Sequence, residues 1–154
     1  MSQLVKESPL GGMVSPGQIV ALLGGPRAVG RSINTLADLD AAVHKGLPRS
    51  ALDHVLAVAA PESERARLRN RVVPRASYQR SRRLSPAHSA TTERLARVTA
   101  LALWVWEDSH KAQEFLWTPH PELGGRRPIQ AALSELGARE VEEVIERGVH
   151  GLPV

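Results

Sequence analysis

Arginines are concentrated in the middle of this sequence, and glutamates are concentrated near its C-terminal part. The segment from Glu62 to Arg83 has eight arginines against two glutamates, a charge of +6, although the 154-residue chain has a formal charge of only +4. The segment from Glu135 to Arg147 has five glutamates against two arginines, a charge of −3. Opposite charge patterns attract different surfaces, so the two segments predict different partners.

The basic segment fits two short helices joined by a tight turn. Pro61 begins the first, expected to end near Asn70, and Pro74 begins the second, expected to end near Arg83. This is the outline of a helix-turn-helix, in which the second helix enters the DNA major groove and arginines contact phosphates. The predicted DNA-binding residues are Arg75, Ser77 and Gln79 for bases, and Arg82 and Arg83 for phosphates. The alternative is a basic face that is only solvated.

No other residues have the spacing of a reactive or metal-binding site. The six histidines show no paired metal-ligand spacing, there is no cysteine, and no nucleophile motif frames the serines. Gly24-Gly25-Pro26 lacks the Lys-Ser/Thr that follows in a phosphate-binding loop, and it indicates the end of a helix instead. We therefore predict a protein without enzyme activity and without a cofactor.

The segment from Thr118 to Pro128 is rich in proline and glycine. Proline fixes φ and glycine permits positive φ, so a loop of this composition tends to hold a defined shape. Gly124 and Gly125 are expected to set the backbone shape, and Trp117 is expected to pack the loop onto the helices. The simpler interpretation is a rigid connector between two helices.

The C-terminal residues resemble the toxin-binding domain of the Xre/MbcA/ParS antitoxin family. Three motifs carry the resemblance, in this order: Leu116-Trp117-Thr118-Pro119, Leu123-Gly124-Gly125-Arg126-Arg127-Pro128 and Gly137-Ala138-Arg139-Glu140-Val141-Glu142. The resemblance covers about residues 46–154 and includes an Xre-like recognition-helix start at residues 73–80. It implies an antitoxin whose partner is a RES-domain toxin, an enzyme that attacks NAD or uses it to modify proteins. It also implies binding to operator DNA, and a homodimer within a larger complex.

The predicted toxin-binding residues lie in the loop, where the resemblance indicates them, and in the last helix and the tail. These are Trp117, Leu123, Arg126, Pro128, Glu140, Glu143, Arg147, His150 and Val154. Because an NAD site must accept a pyrophosphate, we expect cationic groups there, which Glu143 and the carboxylate of Val154 could meet. A frayed terminus is the alternative for residues 149–154. Glu142 and Glu143 are both expected to face solvent.

The hydrophobic periodicity predicts an all-α fold. Helices are expected at residues 16–23, from Thr35 or Asp38 to 45, after an opening at residues 47–50 with an apolar face that runs to Ala59, and at 61–70, 74–83, 85–107, 108–117, 129–136 and 138–147. We divide the chain into an N-terminal extension with short helices that could serve in dimerisation (1–45), an Xre-like helix-turn-helix domain (46–84) and a toxin-binding domain (85–154). The lack of a signal peptide and of a long apolar run predicts a cytoplasmic protein.

Three functions remain open at this point. The first is an antitoxin that sterically blocks the toxin's active site and represses its own operon. The second is a stand-alone helix-turn-helix regulator without a toxin, and the third is a structural adaptor whose basic face only solubilises the fold. The sequence does not indicate the operator, the stoichiometry, or whether the toxin degrades NAD or transfers ADP-ribose.

Overall fold

A computed structural model describes residues 14–149, and within this range the chain is helical and has no β-strand. The all-α prediction is confirmed. A 3-10 turn, Pro121–Leu123, lies between the eighth and ninth helices. In chain order the helices are α1 (Pro16–Leu22), α2 (Gly25–Val29), α3 (Leu36–Lys45), α4 (Arg49–Ala59), α5 (Glu62–Val72), α6 (Arg75–Arg80), α7 (Pro86–Trp106), α8 (Ser109–Trp117), α9 (Pro128–Ala131) and α10 (Glu135–Val149).

The long helix α7 is the centre of the fold. Its first turn is fixed by Ser85, whose side chain accepts a hydrogen bond from the backbone N–H of His88, and by Pro86 at the first helical position. It ends at Glu107, which adopts the left-handed conformation with φ 52°. Helices α1, α3, α4, α8 and α10 all pack against it. The buried apolar side chains form one cluster that runs from Ile19 to Ile145.

The predicted helix 74–83 ends three residues early, at Arg80. Residues after it are extended and lie along the segment that precedes α4. Pro48 and Arg83 form an antiparallel bridge, the N–H of Arg49 donates to the carbonyl of Arg82 at 2.8 Å, and the N–H of Leu84 donates to the carbonyl of Leu47 at 2.8 Å. These long-range backbone bonds compete with the last helical turn, which is why Arg82 and Arg83 lie outside α6.

The boundary predicted between the last two helices is also wrong. The break falls before Glu135, and Gly137 lies inside the first turns of α10. A Cβ atom at Gly137 would lie 1.9 Å from the backbone oxygen of Ala131. Glycine is needed here because α10 passes so close to the end of α9, and it does not end a helix.

Near the N-terminus, Gly24-Gly25-Pro26 was expected only to end a helix. It does end α1, and the short helix α2 then begins at Gly25. No helix between residues 14 and 149 combines the length and the apolar composition needed to span a bilayer.

Candidate functional site

The loop between α8 and α9 folds back on itself. The N–H of His120 donates to the carbonyl of Arg126 at 3.1 Å, and the N–H of Gly125 donates to the carbonyl of His120 at 3.0 Å. Gly124 and Gly125 have φ values of 66° and 80°, a region in which L-residues are strained. The two glycines therefore allow the tight reversal that brings Arg126 back beside His120.

Two residues that were predicted to contact a toxin hold this loop from the inside. Leu123 has no exposed surface, and Pro128 is buried at the start of α9. Neither offers surface to a partner while the loop keeps this shape. Leu123 and Pro128 instead support the exposed residues around them, which include Gly124, Gly125 and Arg126.

Trp117 attaches the base of the loop to α4. Its indole Nε1 donates to the carbonyl of Ala59 at 2.8 Å, and the guanidinium of Arg127 lies 5.7 Å from the centre of its ring system. The ring is partly buried, so Trp117 packs the loop onto the helices, as the sequence suggested.

The same end of α4 receives a full set of side-chain donors. The last four carbonyls of a helix lack partners within it and bear partial negative charge. Here Gln113 donates to Val58 at 2.9 Å, Trp117 donates to Ala59, and Arg65 donates to both Ala57 and Ala60 at 3.1 and 3.0 Å. Helix α8 and helix α5 are thus fastened to one shared helix end.

Two ion pairs connect the loop with α10. Arg126 Nη2 lies 2.8 Å from Glu140 Oε1, and Arg147 pairs with Glu122. The loop contributes one cation and one anion, and the helix contributes the complementary two. Arg126, Glu140 and Arg147 were predicted to contact a toxin, and each already has a partner within the chain.

The outer face of α10 is what remains exposed beside the loop. Leu136, Glu140, Glu143 and Arg147 are spaced four, three and four residues apart, so they lie along one face of the helix. Leu136 is 73% exposed and Glu143 is exposed with no partner among residues 14–149. The predicted contacts His150 and Val154 lie outside the described residues.

Glu142 is buried, contrary to the expectation that it faces solvent. Only 6% of it is exposed, and it lies 3.4 Å from Arg97 of α7, which also pairs with Glu93 at 3.5 Å and Glu135 at 3.3 Å. Burial raises the pKa of Glu142 and of Glu93, against the opposing charge of Arg97. For Arg97, burial acts to lower the pKa, but the surrounding carboxylates outweigh it and the pKa is raised.

The basic segment keeps a second exposed surface on α5 and α6. Arg75 and Gln79 are exposed and Ser77 is partly exposed, whereas Val72 and Val73 are buried. Arg83 donates to the carbonyl of Gly46 at 2.7 Å. Four arginines have side chains without a hydrogen bond or ion pair to any of residues 14–149: Arg71, Arg75, Arg80 and Arg82.

Helix α6 has no fully buried side chain and is held by a polar clamp around Tyr78. The hydroxyl of Tyr78 donates to Asp53 at 2.5 Å, and Arg49 donates to the carbonyl of Tyr78 at 2.8 Å. The guanidinium groups of Arg49 and Arg69 lie 5.2 and 4.8 Å from the centre of the ring. Burial raises the pKa of Tyr78, and the hydrogen bond to Asp53 adds to the shift.

The comparison with known families concerns the part of the chain that contains the loop and α10. Residues 100–151 match the model of the antitoxin Xre/MbcA/ParS C-terminal toxin-binding domain. The C-terminal region is therefore similar to the toxin-binding domain of this family. The resemblance seen in the C-terminal sequence is thus confirmed, and the match supports an antitoxin role with a toxin protein as the class of partner. No curated protein matches the chain.

The matched residues comprise the end of α7, all of α8, the loop, α9 and α10. The matched segment therefore includes both ion pairs between loop and helix, and it excludes α5 and α6. Sequence reasoning missed Gln113 and Glu122 because their partners, Val58 and Arg147, are 55 and 25 positions away. Within residues 14–149 no group of three or more histidine, aspartate or glutamate side chains is arranged so that it could hold a metal ion.

Proposed function

We propose that the chain is the antitoxin of a type II toxin–antitoxin pair and that its toxin is a RES-domain enzyme that consumes NAD. The observation that supports this most is the match of residues 100–151 to the toxin-binding domain, together with a loop that two ion pairs hold in one shape. A preorganised surface avoids part of the ordering cost of binding, which favours tight association with one partner.

Inhibition is steric in this proposal. The exposed face of α10 and the tip of the loop lie over the mouth of the NAD site, and Glu143 faces a cationic group that would otherwise hold a phosphate of NAD. Glu143 suits this role because it is exposed and is the unpaired carboxylate on that face of α10, whereas Glu140 is engaged by Arg126. In this proposal the residues after Val149 also lie over the mouth of the NAD site.

The test is co-expression of the chain with the product of the neighbouring gene, followed by measurement of growth and cellular NAD. We expect full protection by the wild type and reduced protection by Glu143→Arg. Glu62→Arg is the control, because Glu62 is an exposed residue outside the matched domain. If no RES-domain protein co-purifies with the wild type, the proposed partner is wrong.

We further propose that α5 and α6 bind the operator of the chain's own gene, as a dimer, and repress it. The unpaired arginines on this surface support the proposal, since unpaired cations are the groups that can release counterions from DNA phosphates. Operator binding should weaken with salt, with a logarithmic slope of about −0.9 per phosphate contact. A flat salt dependence would reject this part of the proposal.

A regulator without a toxin is the second candidate. It is favoured only by the fact that the basic surface lies outside the toxin-binding domain and is complete without it. The neighbouring gene distinguishes the antitoxin from the regulator, because a RES-domain gene directly beside this one would support the antitoxin. A chain that binds its operator but protects no cell from any adjacent gene product would support the regulator.

A further inference from the structure

A cavity of about 290 Å³ opens between α5 and α6 on the basic surface. Helix α5 contributes Ala66, Arg69 and Asn70, and helix α6 contributes Arg75, Tyr78 and Gln79. Two guanidinium groups and two amide groups can donate hydrogen bonds, and no carboxylate lines the cavity. This combination of donors suits an oxyanion.

The charges around the cavity favour a single anion. The clamp behind it contains Arg49, Arg69 and one carboxylate, Asp53, which lies 3.5 Å from Arg69. Arg75 has no partner among residues 14–149, so its charge remains available at the rim. Because the hydroxyl of Tyr78 is already engaged with Asp53, the ring forms a wall of the cavity while its donor points away from a ligand.

We propose that this cavity binds one backbone phosphate of duplex DNA, with Arg75 and Asn70 donating to its oxygens and Arg69 adding charge from the wall. The inference rests on the proposed DNA binding and deepens it. A duplex presents phosphates on its outer surface, within reach of an open cavity, whereas bases lie inside the grooves. Arg75, which the sequence assigned to bases, is thereby assigned to the phosphate, and Ser77 is left as a base-contacting candidate.

A substitution can exclude a phosphate from the cavity without removing any charged side chain. Ala66 is an exposed alanine in the middle of α5 and lines the cavity, so Ala66→Leu fills the space while every arginine stays in place. Ala41→Leu is the matched control, because Ala41 is an exposed helical alanine in α3 that does not line the cavity. Arg75→Gln and Asn70→Ala remove the donors directly.

The experiment measures binding to two fluorescent duplexes of equal length, the region upstream of the gene and an unrelated sequence, over a range of salt concentrations. A phosphate contact is independent of sequence, so Ala66→Leu and Arg75→Gln should weaken binding to both duplexes by the same factor. The salt slope should fall in magnitude by about 0.9 for each copy of the chain that contacts the duplex, and therefore by about 1.8 for a dimer. Ala41→Leu should bind like the wild type.

Three results would overturn the proposal, and they can be told apart. Wild-type affinity and slope in Ala66→Leu would show that no phosphate enters the cavity, although DNA binding itself would stand. A loss confined to the upstream duplex in Arg75→Gln would show that Arg75 reads a base. No binding of either duplex by the wild type would reject DNA binding altogether, and inorganic phosphate added in place of DNA would then show whether the cavity is a site for a free anion.

Discussion

The loop with α10 and the α5–α6 surface both present arginines, but these arginines have different surroundings. Arg126 and Arg147 lie beside Glu140 and Glu122 and are bound within the chain, so they fix the shape of the loop. Arg75 and Arg82 have no such partners among residues 14–149. An arginine count alone therefore says little about binding. The acidic residues within reach decide whether an arginine positions the backbone or remains available to a partner.

The two regions also differ in how they are held in place. Leu123 anchors the loop in the hydrophobic core, and Ile129 follows it with no exposed surface. Helix α6 has no buried side chain and relies on the hydrogen bonds and ring contacts of Tyr78. The surface formed by the loop and α10 should accordingly resist substitution at exposed positions, and α6 should be sensitive to single polar changes.

The largest effect is expected from Leu123→Ala. Emptying a fully buried leucine position costs about 2–5 kcal/mol in the free energy of unfolding, because a cavity remains beside the lost contacts. The control is Leu136→Ala, the same substitution at a 73% exposed position, which should change stability by less than about 0.5 kcal/mol. Urea denaturation measures both, and equal losses would show that the loop is not anchored as described.

A smaller loss is expected from Tyr78→Phe. The ring and its contacts with the arginines remain, and only the hydrogen bond to Asp53 is removed. The cost should be about 0.5–1.5 kcal/mol, with Asp53 still paired to Arg69. The same variant should weaken DNA binding while leaving toxin neutralisation unchanged. A change in neutralisation would contradict the separation of the two regions.

The buried Glu142 predicts a pH effect with a definite sign. Its pKa is raised in the folded chain, chiefly by burial, so between the ordinary glutamate pKa of about 4.3 and the raised value the native state holds more protons than the unfolded state. Stability through this group therefore falls as pH rises across that window. Glu142→Gln should remove this contribution.

In Glu142→Gln, Arg97 still has ion pairs with Glu93 and Glu135. The loss of stability at neutral pH should therefore stay well below the roughly 3–5 kcal/mol that is lost when a buried charge is left without any partner. The check is a series of urea denaturations at different pH values, with the exposed Glu143→Gln as control. If the difference between wild type and Glu142→Gln does not depend on pH, Glu142 is not the group that titrates.

The smallest effect concerns the pair Arg126–Glu140. Both side chains are about half exposed, so a double-mutant cycle should give a coupling energy of about 0.2–1 kcal/mol. Arg75→Gln, which breaks no pair, should change stability by less than about 0.5 kcal/mol. A coupling energy near zero for Arg126–Glu140 would mean that the pair does not hold the loop.

The sequence predicted the features that depend on neighbouring residues. Helix starts were expected at residues 85 and 108, and the side chains of Ser85 and Asp108 cap α7 and α8 there. Gly124 and Gly125 indicated the shape of the loop. The family motifs indicated the toxin-binding domain, although the residues that bind the toxin stay a prediction, as does the division into three domains.

The features that the sequence did not predict depend on contacts between distant residues. Helix α6 ends at Arg80 because residues 82–84 bond to the backbone before α4, more than 30 positions away. Glu142 is buried because Arg97, 45 positions away, supplies a charge for it. No local pattern distinguishes Glu142 from the exposed Glu143, because the difference lies in the helix that packs against one of them.

The most direct test of the separation between the two regions measures both activities on the same pair of variants. One variant carries Arg75→Gln and Arg82→Gln, and the other carries Glu143→Arg. Duplex binding is measured by fluorescence anisotropy, and neutralisation is measured as cellular NAD during co-expression with the RES-domain protein. The account predicts that the first variant loses DNA binding and still preserves NAD, and that the second binds DNA normally and fails to preserve NAD. Loss of both activities in either variant would contradict it.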